Sequence, residues 1–150
     1  DTVIAVEQYR IKDFKTTSSP YEGHYLHFDT SLLRESNKVN FRAGDYLVPL
    51  NQDGVKFLLE TLEPEAIDSY FNWNFFDAIL GQKEYYSAYV FEDTAAKLLK
   101  ENKDLRAAFE REKMNNPKLA ASSSAQLDWI YKHSPYYEES HLLYPIYRIN

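Results

Sequence analysis

The sequence predicts an α+β fold: an N-terminal antiparallel β-sheet, or half of a sandwich, followed by a helical C-terminal half packed on it. Three observations carry this reading. Runs of alternating apolar and polar residues, separated by short polar connections, fill the chain up to Leu50. From Asn51 onward the apolar residues recur at helical spacing instead. Residues 70–76 then hold Tyr70, Phe71, Trp73, Phe75 and Phe76, enough aromatic area to anchor a core. At 150 residues the chain reads as one domain: 1–50 mainly β, 51–141 mainly helical, and 142–150 a closing strand or extended tail.

Residues 2–14 read as the first strand, apolar on both faces early on and so covered. Residues 15–20, with Thr16, Thr17, Ser18 and Ser19, are a loop. Residues 21–28 read as a second strand, with Tyr21, Gly23, Tyr25 and His27 on one face and Glu22, His24, Leu26 and Phe28 on the other. Residues 29–37 continue that strand or bulge out of it. Val39 and Phe41 alternate in a third run over 38–42, Ala43-Gly44-Asp45 is a turn, and residues 46–50 form a short apolar strand closed by Pro49.

Asn51 or Asp53 caps a helix reaching Leu62, in which Val55, Leu58, Leu59 and Leu62 recur at helical spacing. Pro64 interrupts. Asp68 then caps a second helix that ends at Gly81. Only Asn72, Asn74 and Asp77 break its apolar surface, so it reads as mostly buried, with Trp73, Phe75 and Phe76 as core anchors. An aromatic ligand platform is the alternative. Residues 82–91 are a connection. Asp93 or Thr94 starts a helix with Ala95, Leu98 and Leu99 inward, and residues 104–114 form another with Leu105, Ala108 and Phe109 inward. Asn115-Asn116-Pro117 breaks it. Ser123 and Gln126 form a capping box for a last helix with Leu127, Ile130 and Tyr131 on its core face, stopped by Ser134-Pro135. Residues 142–149 are a final strand returning to the sheet edge, where Pro145 is tolerated.

The formal net charge is -6 and the pI about 5.2, against the clustered Lys and Arg that phosphate binding needs. With no cysteine, disulfides, thiolate zinc sites and cysteine nucleophiles are excluded. No apolar run approaches a membrane span. The chain begins at Asp1 with no signal-peptide pattern, as expected of a processed protein or a piece of a longer one.

Motifs for catalysis are missing. None of His24, His27, His133 and His141 begins a His-x-x-Glu or His-Glu-x-x-His motif. On a straight strand His24 and His27 point to opposite faces. Glu138-Glu139-Ser140-His141 is a metal candidate set against a solvated polar loop. There is no Gly-x-Ser-x-Gly elbow and no glycine-rich phosphate loop. The acid pairs Glu60–Glu63 and Glu92–Asp93 read as caps and surface charge.

Tyrosine is abundant, at thirteen residues. The candidate ligand-binding residues are His24, Tyr25 and His27, Tyr85 and Tyr86, and Tyr136 and Tyr137, which can line a groove for a sugar or a peptide. The alternative is that these rings close the sheet–helix interface.

Several stretches also carry a resemblance. They are residues 21–27 (YEGHYLH), Gly44-Asp45-Tyr46, Glu60-Thr61-Leu62-Glu63-Pro64, Asp68-Ser69-Tyr70-Phe71, Trp73-Asn74-Phe75-Phe76-Asp77, residues 89–93 (YVFED) and Tyr144-Pro145. Together they make the chain similar to the C-terminal region of secreted bacterial zinc carboxypeptidase-like proteins, the carboxypeptidase A type. The resemblance implies a zinc-bearing peptidase domain upstream in the same polypeptide, export to the periplasm or cell exterior, and a non-catalytic accessory role for this chain. It would pack on the peptidase domain or bind a peptide or wall ligand. No zinc ligand carries over, because the His-x-x-Glu pair is missing, so no cofactor is expected in this chain itself. A stand-alone carbohydrate- or peptide-binding module, and a metal-dependent hydrolase using His24 or His141, are the alternatives.

Overall fold

The computed structural model describes residues 2–149. The layout is α+β, an antiparallel β-hairpin followed by helices. The chain forms two compact units, one made of Asp1–Gly81 with Ser140–Asn150 and the other of Gln82–Glu139.

In the first unit, β1 (Thr2–Thr16) pairs antiparallel with β2 (His27–Phe41) from Thr2 opposite Phe41 to Thr16 opposite His27, with irregular register between Ile11 and Lys15. The expected sheet of short strands is therefore one long hairpin. Residues 21–26 do not join β2; they form a tight turn, because Glu22 and Gly23 take positive φ values of 48° and 85°. The polar run 34–38 is strand all the same, since its partner β1 supplies the burial through Val6, Gln8, Tyr9 and Ile11. The expected strand at 46–50 has no regular structure: Tyr46 is 92% exposed, and Pro49 has no amide to give a ladder.

The C-terminal segment does return to the sheet. It lies on the other edge of β1, where Glu7 and Arg148 exchange backbone hydrogen bonds of 2.8 and 3.0 Å. Tyr144 N–H donates to the Tyr9 carbonyl at 2.8 Å, and Ile11 N–H donates to that of Leu142 at 2.9 Å. This brings Tyr144 into a core with Tyr9, Ile11 and Phe71, surrounded by Phe14, Leu32, Phe76, Ile79, Leu80, Leu142 and Ile146.

The aromatic segment is not a helix. Apart from a 3₁₀ turn at Asp77–Ile79 it is a chain of turns. Its polar residues account for this, because their side chains compete for the backbone groups a helix needs. Ser69 Oγ accepts from Asn72 N–H at 3.1 Å. The Asn72 amide donates to the carbonyls of Ala66 (2.8 Å) and Ile67 (3.2 Å). Asn74 then turns left-handed at φ 67°. As a result Phe71 is the anchor, fully buried, with its ring 5.6 Å from Phe14 and 6.4 Å from Tyr144. Of the three residues expected to anchor the core, Phe76 packs against Tyr144 at 5.2 Å, Trp73 is half-buried and Phe75 is exposed. Helix α1 (Val55–Leu62) lies where expected, but Gly54 precedes it and no side chain of Asn51 or Asp53 caps it.

The second unit packs α2 (Ala88–Glu101), α3 (Lys103–Asn115), α4 (Pro117–Ala120) and α5 (Ser123–Lys132) around Phe91, Ala95, Phe109, Ile130 and Tyr131. Helix α2 starts earlier than Asp93, so Phe91 is core rather than connection. The breaks are set by caps. Asn102 Oδ1 accepts from Asp104 and Leu105 N–H, and Asn116 Oδ1 from Leu119 N–H, with Pro117 at the first position of α4. The cap of α5 is Ser122, not Ser123: its hydroxyl accepts from Ala125 N–H, while Gln126 reaches back to the carbonyls of Leu119 and Ala120. Among the described residues no helix is long and apolar enough to cross a membrane.

Tyr144 is buried to its hydroxyl, which has no hydrogen-bond partner among the described residues. Burial first, and the charge of Glu63 second, push its pKa above the ordinary tyrosine value; burial raises Tyr9 and Tyr86 as well. A raised phenol contributes stability that is fully present below the unfolded value of about 10 and is lost as pH climbs toward the folded value. The melting temperature is expected to fall above about pH 10. Tyr144→Phe should change neutral-pH stability by no more than about 1 kcal/mol and flatten that alkaline fall. Melts of both proteins across the alkaline range check this; an equally steep fall in the variant refutes it.

Candidate functional site

The β1–β2 connection carries the site. Tyr21 N–H donates to the His24 carbonyl and His24 N–H to that of Tyr21, both at 2.9 Å, so the two residues form a bridged pair around Glu22 and Gly23. Two positive φ values in succession are what a two-residue hairpin turn demands, and Gly23 meets that demand without a Cβ penalty. A directly opposed pair projects to one side of its turn. Both rings meet Trp73, at 6.1 Å from Tyr21 and 5.6 Å from His24. His24 also lies 5.6 Å from Phe75, which touches Tyr70 at 5.4 Å. Tyr21 is 58% and Phe75 63% exposed, with His24 and Trp73 half-buried between them. The four rings make one contiguous aromatic cluster in which Trp73 meets Tyr21 and His24 edge-on, with Tyr21 and Phe75 open to solvent.

His27 fixes that cluster from below. It is buried, in ring contact with Phe14 at 4.6 Å and Phe71 at 5.0 Å. Its Nε2 lies 2.8 Å from Asp77 Oδ1 and its Nδ1 lies 2.9 Å from Thr16 Oγ1. A carboxylate only accepts, so Nε2 carries a proton and donates to Asp77, while Nδ1 pairs with the Thr16 hydroxyl. The Asn74 amide, 3.1 Å from Nε2, donates instead to the Tyr25 carbonyl at 2.7 Å. This network ties β1, β2, the turn and the aromatic segment together.

A hydroxyl–imidazole–carboxylate chain invites comparison with nucleophilic catalysis, but the surroundings do not support it. An acyl-transfer site needs free donors for an oxyanion. The neighbouring amides are committed, Thr17 N–H to the Leu26 carbonyl and His27 N–H to that of Asn72. Thr16 and His27 are direct cross-strand partners, and the network reads as a positioning device. Beside it an open hollow of about 470 Å³ is lined by Thr17, Leu26, His27, Phe28, Asp29, Thr30, Glu65, Ile67 and Asn72. Lys15 pairs with Asp29 at 2.7 Å at this end, and that carboxylate holds the ammonium above its ordinary pKa.

The predicted ligand-binding residues fall into both units. His24, Tyr25 and His27 come together on the first, although His27 acts from beneath and Tyr25 stands exposed beside the cluster. Tyr85, Tyr86, Tyr136 and Tyr137 belong to the second. There Tyr86 packs with its ring 4.5 Å from Tyr131, and Tyr137 meets the same ring at 5.6 Å, so both are packing residues. Tyr85 and Tyr136 are exposed. The sequence places Trp73 and Phe75 in the core with a ligand platform as the alternative, and does not single out Tyr21, Asn74 or Asp77. The available signal was the close recurrence of Asn72, Asn74 and Asp77 among rings, a pattern that a buried helix does not favour.

Of the 138–141 cluster, Glu138 and His141 lie in different units. Glu138 Oε2 accepts from the amides of Lys83 (2.6 Å) and Glu84 (3.1 Å), while His141 Nε2 faces the Leu80 carbonyl at 3.3 Å. Among the described residues no group of three or more His, Asp or Glu is placed to hold a metal ion.

A second surface feature lies at residues 42–59. Tyr46, Leu47, Val48 and Leu50 are all exposed, and the helix that follows, α1, exposes Phe57 and Leu59 and buries none of its residues. No family model, curated protein or solved structure matches the chain.

Proposed function

We infer that this chain is a non-catalytic interaction domain that docks on another folded domain through residues 46–59. The observation that carries the reading is an amphipathic helix with no buried residue next to the exposed run Tyr46-Leu47-Val48-Pro49-Leu50. A continuous apolar segment left in water is the mark of a surface that meets a partner. The partner that the sequence resemblance offers is the upstream peptidase domain of a secreted, carboxypeptidase-like polypeptide. A periplasmic or extracellular location goes with that partner. Zinc would belong to the peptidase domain and not to this chain.

The test is co-expression of this chain with a zinc carboxypeptidase-type domain taken from the same polypeptide. The two are expected to co-purify. Leu47→Ser combined with Phe57→Ser should abolish co-purification and leave the melting temperature of this chain unchanged. If the wild-type chain elutes alone, or if the double substitution lowers its melting temperature, the reading fails.

A further inference from the structure

We propose that the outer edge of β2, residues 33–41, is the interface of a homodimer in which two copies of this chain pair strand to strand about a two-fold axis at Asn37. The observations behind it do not involve residues 46–59.

The direction of the backbone groups shows that this edge is open. Glu7, Tyr9 and Ile11 turn amides or carbonyls toward the returning C-terminal segment. Successive strand residues face opposite ways, so Gln8 and Arg10 face β2, and their partners Glu35 and Leu33 face β1. Arg34, Ser36, Lys38 and Asn40 therefore turn their backbone groups outward. Among the described residues no backbone hydrogen bond reaches them from outside the hairpin; the Lys38 amide donates to Asn37 Oδ1 on its own strand at 2.8 Å. Elsewhere the sheet is covered. The C-terminal segment lies along β1, and the Asn72 carbonyl takes the His27 amide at the other end of β2. Residues 33–41 hold no Pro or Gly, and the irregular register is confined to the far end of the hairpin, so nothing in this stretch bends the edge away. Alternating donors and acceptors on an edge are met by another extended strand.

Self-pairing has one register that fits. Outward residues pair with outward residues, so the axis must pass through a residue position and not between two. An axis at Arg34, Glu35 or Lys38 sets a charge against its own copy. An axis at Ser36 sets Arg34 against Lys38. An axis at Leu33 runs the second copy onto residues 27–30, where Asn72 already sits. An axis at Val39 leaves little overlap. The axis at Asn37 sets no like charges opposite one another and uses the whole open stretch. Arg34 then exchanges backbone hydrogen bonds with Asn40 of the second copy, and Ser36 with Lys38. Exposed Leu33 meets Phe41, whose ring is held by Tyr147 at 5.9 Å. The remaining charges are balanced within each copy: Arg34 is bound by Glu7 and Glu65, and Glu35 lies 3.8 Å from Arg10.

The experiment is sedimentation of the full chain at tens of micromolar, where the parent is expected to run as a dimer. Ser36→Pro removes an amide that β1 does not use and should give a monomer at an unchanged melting temperature. Ser36→Lys, which faces Lys38 of the second copy, should do the same and serves if the proline variant fails to fold. Leu47→Ser combined with Phe57→Ser should leave the dimer intact. The register is read by single cysteines in a chain that has none. With oxidised glutathione, Asn37→Cys should crosslink to its own copy, because the two positions are a closely spaced pair across the axis. Glu35→Cys, which faces Val39 instead, should crosslink at least about tenfold more slowly. The proposal is overturned if the parent is a monomer, if the dimer survives the Ser36 substitutions or is lost with Leu47 and Phe57, or if the two cysteine variants crosslink at equal rates.

Discussion

Phe71→Ala is expected to cost about 3–5 kcal/mol of folding free energy, the largest loss available in the first unit. The ring is fully buried and meets Phe14, His27 and Tyr144 at 5.6, 5.0 and 6.4 Å. Its neighbours come from β1, from β2 and from the returning C-terminal segment, so no single element can collapse to fill the gap. Phe75→Ala, four residues on, should change stability by less than about 0.5 kcal/mol, because that ring is mostly in water. Urea denaturation of the two variants beside the parent measures the contrast. Equal losses would show that the aromatic segment packs as a helix after all.

Asn72→Ala should be nearly as damaging, at about 2–4 kcal/mol, for a different reason. The side chain is buried and almost saturated. Its amide serves two carbonyls, those of Ala66 and Ile67, and its oxygen accepts from Thr30 Oγ1 at 3.2 Å. Alanine leaves those groups short of partners in a poorly solvated place. Asn72→Asp should be worse than alanine, since it turns a donor toward two carbonyls into an acceptor. Thermal melts of both variants decide the matter; an aspartate variant as stable as the parent contradicts the bonding described.

These two residues also show what the sequence disclosed and what it hid. The α+β order, the helix at residues 55–62, the helix pair broken at Asn116-Pro117 and the return of the tail to the sheet edge were all legible. Each rests on local patterning or on a cap whose chemistry acts over a few residues. The aromatic segment was not legible, because its apolar spacing fits a helix while its three polar side chains work against one. Whether Asn72 faces water or two carbonyls depends on where residues 66 and 67 lie, and periodicity carries no such information. The strand count failed similarly. A positive φ at Glu22 and Gly23 turns an apparent strand into a hairpin tip, and a polar run at 34–38 pairs only because β1 brings the burial. On the site, residue type singles out His24 and Tyr25 as candidates. Trp73 and Phe75 read as core, with a ligand platform as the alternative, since an aromatic stripe does not announce which rings stay outside.

Tyr144 has a consequence for how the protein is made. It completes the first unit's core, yet it is translated only after the entire helical unit. Until then the nascent chain exposes Phe71 and Phe76 on a hairpin whose β1 edge is uncovered, a natural target for a holding chaperone. The helical unit, continuous in sequence and built from near-neighbour contacts, can mature on the ribosome before the unit that started first. Synthesis order and folding order are thus reversed, and a chain cut between the helical unit and Tyr144 is expected to aggregate although most of its first unit is present.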